Sequence, residues 1–220
     1  MPLFKTISIP DGRIGIWQLT ETSADLIPFF STEELADPVY SQYTHEKRKV
    51  EWLATRFLLK QLIGPEFSIS YSETGKPTLN HLVYKHLSIS HSRDFAAVLI
   101  HEHLDVGIDI ESMNRNYHPI EKRYLSEMEL TAVNKNTQLH CLYWCAKEAI
   151  FKLVPENGIE FRDQIHISPF NPQQEKEFTV CYTSGSKQRH YRLHFEIFDD
   201  HGLVWVVNEP EMPGESDQPA

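Results

Sequence analysis

The sequence predicts an α+β protein built from two similar halves. Two observations carry this. Long amphipathic helices are expected over 45–63 and 138–153, one in each half, and each is followed by several short strands. A chain of 220 residues suits one compact domain or two small halves. It is long enough to bury a core without cross-links.

The elements follow in order. Residues 13–19 (RIGIWQL) read as a strand. Between 45 and 63, Val50, Leu53, Ala54, Phe57 and Leu58 recur at three and four with charges opposite, and Gly64-Pro65 stops the helix. FSISY (67–71) reads as a strand, and SETGKP (72–77) as a turn. HLSISHS (86–92), FAAVLIH (95–101) and LDVGIDI (104–110) read as three strands. Arg93-Asp94 and Glu102-His103 are short enough to make both joints hairpins. A looser helical region spans 118–134. Leu142, Ala146, Ala149, Ile150 and Leu153 form the apolar stripe of the second long helix. Strands are expected at 164–168, 178–184, 190–198 and 203–207. The segment 210–220, with three prolines and three acids, is expected to be disordered.

Composition narrows the function. The chain is 40% hydrophobic and 24% charged, as ordinary soluble proteins are. No apolar run reaches the roughly 18–20 residues of a membrane span. The N-terminus has no basic stretch leading into an apolar one, so no signal peptide is expected. Three cysteines suit reduced thiols in the cytoplasm. A net charge of −10 argues against nucleic acid as a partner. Twelve histidines include no zinc-type spacing. One local basic run exists: residues 45–60 carry five basic and two acidic side chains.

Three segments suggest chemistry. In VGIDIE (106–111) a strand would turn Val106, Ile108 and Ile110 to one side and Gly107, Asp109 and Glu111 to the other. Two carboxylates so spaced can share Mg²⁺ with substrate phosphates, and Gly107 would let a ligand approach the backbone. The plain alternative is an exposed acidic strand face. In WCAKEAIFK (144–152), Trp144, Glu148 and Lys152 stack on one helical stripe. The plain alternative is a surface Glu–Lys pair. In SISHS (88–92) small hydroxyls and an imidazole could meet phosphate. Ser90 and His91 point to opposite strand faces, which disfavours a nucleophile–base pair. Lys76, Arg56 and the 47–49 cluster add positive charge.

Taken in order, these motifs resemble the 4′-phosphopantetheinyl transferases of the surfactin-synthetase-activating type. VGIDIE, WCAKEAIFK, GKP, SISHS, WLATR and RYLSEMEL match over roughly 45–170. The resemblance implies a pseudo-twofold pair of α/β halves with the active site in the cleft between them. It divides the chain into 1–102, holding the coenzyme A nucleotide, and 103–209, holding metal and catalytic residues. It implies transfer of 4′-phosphopantetheine from coenzyme A to a serine of an apo acyl or peptidyl carrier protein. Carried over residue by residue, Asp109, Glu111 and Glu148 resemble the ligands of Mg²⁺, with Mn²⁺ as an alternative. Glu148 and Lys152 resemble catalytic groups. Arg56, Lys76, Ser90, His91, Asp109 and Lys152 resemble cofactor contacts, and Glu129 falls in a matching stretch. A cytoplasmic monomer acting on neither nucleic acid nor membrane is expected. The rivals are a metal-dependent phosphohydrolase and a non-catalytic coenzyme A-binding protein.

Overall fold

The computed structural model describes residues 3–156 and 158–210. The expected disorder of 210–220 therefore falls, except for Pro210, outside the described residues. Among the described residues two antiparallel sheets carry one long helix each. Strands β1 (Leu3–Ile9) and β2 (Gly12–Gln18) open the chain. Three four-residue helices follow: α1 (Ser23–Leu26), α2 (Thr32–Leu35) and α3 (Pro38–Ser41). Then come α4 (Glu46–Ile63), β3 (Ser68–Tyr71), β4 (Pro77–Asn80), β5 (His86–His91) and β6 (Phe95–His101). These strands assemble in the order β1-β2-β6-β5-β4-β3.

The second sheet takes β7 (Val106–Ser112), β8 (Ile165–Ile167), β9 (Glu177–Ser184), β10 (Lys187–Phe198) and β11 (His201–Val207), in the order β7-β11-β10-β9-β8. Helices α5 (Glu121–Tyr124), α6 (Glu127–Val133), α7 (Thr137–Leu153) and α8 (Phe161–Gln164) lie between β7 and β8 in sequence.

Local chemistry sets the helix ends. Asn136 accepts from the backbone N–H groups of Gln138 and Leu139 at 3.0 and 3.2 Å, starting α7. Gly64 adopts φ +84, which ends α4 without the strain a side chain would bring.

Alternation along the strands sorts the core. Ile14, Ile16, Phe95, Ala97 and Leu99 of the first sheet pack on Val106, Ile108, Ile110, Leu203 and Trp205 of the second. Helix α4 covers the other face of the first sheet through Leu53, Phe57 and Leu58. Helix α7 covers the second through Cys141, Leu142, Ala146 and Ile150. The expected split of β7 holds: its apolar residues face the other sheet, and Gly107 faces α7.

Two expectations are corrected. The Glu102-His103 joint makes no hairpin. Both edges of β6 are already taken by β2 and β5, so the chain crosses to the other sheet between His101 and Val106. His101 Nδ1 accepts from the N–H groups of His103 and Leu104 at 3.1 and 2.9 Å and shapes that crossing. Gly107 makes room for a helix, not a ligand. A Cβ there would stand 2.0 Å from the carbonyl oxygen of Ala149. Gly107→Ala is expected to force α7 off β7, with a loss of about 3 kcal/mol. Urea unfolding of the variant measures it, and an unchanged midpoint would show that α7 can move freely.

Candidate active site

A cavity of 320 Å³ opens where α4, the 72–76 turn, β5 and the end of α7 meet. Arg48 and Arg56 from α4, Lys76 from the turn, His91 from β5 and Lys152 from α7 all line it. The close contact at Gly107 brings the end of α7 against β7, and Lys152 Nζ donates to Ile108 O at 3.0 Å and to Asp109 Oδ1 at 2.7 Å. Arg56 is buried, stacks over Trp52 at 3.9 Å, and donates to Tyr71 Oη at 3.2 Å. Lys76 spans to the other side, donating to Asp105 Oδ1 and to Leu153 O, each at 3.0 Å. Of the basic run at 47–49, Arg48 is the member that lines the cavity. It is held by the buried Glu51 at 2.8 Å.

His91 faces the cavity with Nε2 at 2.8 Å from Thr55 Oγ1. Burial, and then the charge of Lys152, push its pKa down to about 3. Its imidazole can share a hydrogen bond with a group in the cavity. Ser90 is buried and does not line the cavity. Its hydroxyl donates to Asp109 Oδ1 at 2.6 Å.

The three acids lie on β7 and α7 and none of them lines the cavity; Asp109 is linked to it through Lys152. Asp109 is buried, and its Oδ2 has no hydrogen-bond partner. Glu111 pairs with Arg115, whose guanidinium lies 4.7 Å over the Trp144 ring. Burial raises Glu111, Arg115 opposes the rise and Asp109 adds to it. Glu148 is pushed up to about 7, first by burial and then by Asp109. Among the described residues no three ligating side chains stand close enough to hold a metal ion. One donor there is open to a hard divalent cation, the buried and unpartnered Oδ2 of Asp109; burial first, and then the charge of Asp109, raise both Glu111 and Glu148. In the structure Lys152 and Arg115 supply the positive charge at these acids.

Glu129 and Lys147 lie away from this cavity. Glu129 accepts from Lys147 Nζ at 2.9 Å, from Ser126 N at 2.8 Å and from Ile167 N at 2.9 Å. Lys147 Nζ also donates to Phe161 O and Ile165 O, at 2.9 and 2.6 Å. The pair ties α6, α7, α8 and β8 together. Reading the sequence missed Glu51, Thr55 and Arg115. Arg115 follows Glu111 by four residues, which was the available signal. Glu51 and Thr55 lie on α4, where nothing in the helical pattern marks either as a partner of Arg48 or His91.

Residues 105–206, from before β7 through β11, match the model of the 4′-phosphopantetheinyl transferase superfamily. The 4′-phosphopantetheinyl transferase AcpT of Salmonella typhi is 31% identical over 129 residues, covering 56% of this chain and 67% of that protein. The chain belongs to the 4′-phosphopantetheinyl transferase superfamily. The AcpT of Escherichia coli K12 is 34% identical to this superfamily member over 112 residues, 48% of the chain and 57% of the relative. The human L-aminoadipate-semialdehyde dehydrogenase-phosphopantetheinyl transferase is 26% identical over 199 residues, 76% of the chain and 64% of the relative. The matched region holds Asp109, Glu111, Glu148 and Lys152. Among the described residues of this superfamily member, no helix is long and apolar enough to cross a membrane.

Proposed function

We infer that the chain is an enzyme that transfers 4′-phosphopantetheine from coenzyme A to a serine of an apo acyl or peptidyl carrier protein. The product left behind is adenosine 3′,5′-bisphosphate. Superfamily membership supports the transferase assignment. The observation that carries the substrate is the cavity itself, where Arg48, Arg56, Lys76 and Lys152 converge on a space fit for an anionic nucleotide. We assign the chain to the surfactin-synthetase-activating type, with its pseudo-twofold halves divided at 102/103 and the cavity as the cleft between them. We assign it to the cytoplasm as a monomer, one copy sufficing because both walls of the cavity come from one chain.

Asp109, Glu111 and Glu148 would hold Mg²⁺, or Mn²⁺ in its place. When bound, the ion supplies charge neutralisation and polarisation at the pyrophosphate. The chain's own groups do the rest. Arg56 and Lys76 bind the nucleotide phosphates, and His91 gives a hydrogen bond beside them. The carrier serine oxygen attacks the phosphorus next to the pantetheine, and the phosphoanhydride bond breaks towards the adenosine bisphosphate. Glu148, or a water beside it, takes the serine proton. Lys152 meets charge on the leaving phosphate. The nucleophile arrives on the partner, so the chain needs no activated serine or cysteine.

The test is incubation with coenzyme A, Mg²⁺ and a panel of apo carriers, followed by weighing each carrier. A gain of one phosphopantetheine mass is expected on at least one. Release of nucleotide without any carrier labelling would instead identify a hydrolase. Lys76→Ala is expected to raise KM for coenzyme A about tenfold, the scale of one charge-assisted contact. Steady-state kinetics at saturating carrier measures it, and an unchanged KM would remove Lys76 from the nucleotide site.

A further inference from the structure

We propose that Ser90 is a positioning residue that sets which oxygen of Asp109 is free, and not a contact of the substrate. The proposal rests on the transferase reading above. Strands β5 and β7 belong to different sheets and share no ladder pairing. Serine hydroxyls bridge them instead. Ser88 Oγ accepts from Ile108 N at 3.1 Å, and Ser90 Oγ accepts from Ile110 N at 3.3 Å.

A hydroxyl carries one proton to donate. That of Ser90 goes to Asp109 Oδ1 at 2.6 Å, so none is left for a phosphate. Lys152 donates to the same oxygen at 2.7 Å. Two donors therefore converge on Oδ1, while Oδ2 is buried with no partner. The carboxylate torsion of an aspartate is broad when nothing holds it. Here the asymmetry of donors pins it and leaves Oδ2 as the ligating atom. Ser88 makes the matching bridge, but its recorded bond is to backbone alone. The two serines thus differ in the bond to Asp109, which Ser90 makes, and in the cavity wall, which Ser88 joins.

The experiment uses the full chain free of coenzyme A. Mn²⁺ binding is followed by electron paramagnetic resonance, and kcat and KM are measured in the carrier assay. Ser90→Ala is expected to weaken Mn²⁺ binding about 10- to 100-fold, the range seen when a group orienting a metal ligand is removed. The kcat should fall over the same range, with KM for coenzyme A unchanged. Ser88→Ala should lower the melting temperature without moving Mn²⁺ affinity. A raised KM for coenzyme A with wild-type Mn²⁺ affinity in Ser90→Ala overturns the proposal and returns Ser90 to the substrate. A lowered melting temperature with wild-type Mn²⁺ affinity overturns it as well, because the hydroxyl is then only a fastening between sheets. Both results arise with the unaltered chain still labelling carriers. Failure of the unaltered chain to label any carrier is the separate failure of the transferase reading.

Discussion

Asp109→Ala is expected to reduce carrier labelling by about 10³-fold or more, the scale on which a single preorganised charge-stabilising group acts. Asp109 is the meeting point of the site. It receives Ser90 and Lys152 on one oxygen, and its charge lifts both Glu111 and Glu148. Removing it frees Lys152 from its carboxylate and takes away the unpartnered Oδ2. Asp109→Asn keeps the shape and an oxygen for Ser90 but loses the charge, so it should fail almost as badly. Circular dichroism and melting separate lost chemistry from lost fold. An Asp109→Ala enzyme that labels carriers at the wild-type rate would show that the acids hold no required ion.

The second large effect is one of stability. Lys147→Ala is expected to destabilise the chain by about 3–5 kcal/mol, the usual result of stranding one member of a buried ion pair. Lys147 is 0% exposed and Glu129 is 4% exposed. Without the ammonium, Glu129 keeps two backbone donors but no counter-charge, and the carbonyls of Phe161 and Ile165 lose their donor. Urea unfolding should show a lower midpoint. The protein that remains folded should keep its KM for coenzyme A, because neither residue reaches the cavity. A wild-type midpoint would mean that α6, α7 and β8 are held by apolar packing alone.

These two residues show what the sequence made legible. Asp109 and Glu111 stand on one strand face by the two-residue repeat, and Glu148 and Lys152 on one helical stripe by the four-residue repeat. That geometry follows from backbone periodicity. Both long helices were legible for the same reason. Lys147 was not, because a lysine next to Glu148 in a helix looks like any surface charge until the packing of α8 and β8 encloses it. Gly107 misled in the same way: an absent side chain signals a close approach but not by what. Strand β1 escaped because an edge strand is defined by its neighbour's hydrogen bonds more than by its own pattern, and β4, inside the sheet, because four residues carry too little pattern. The hairpin expected at Glu102-His103 failed because edge occupancy is a property of the whole sheet. Ser90 was placed correctly on β5, but its partner lies across a seam that no local rule describes.

That layer between the sheets has a consequence for how the chain is made. Ile14, Ile16, Phe95, Ala97 and Leu99 are synthesised early, yet Val106, Ile108 and Ile110 cover them only in part. The remaining cover, Leu203 and Trp205, belongs to β11, the last strand described. Strand β11 also pairs with β7, nearly a hundred residues before it. On the ribosome the first sheet therefore waits, with part of an apolar face open to water, until β11 has been made. Such an exposed intermediate is where aggregation competes with folding. A chaperone that shields that face should raise the soluble yield.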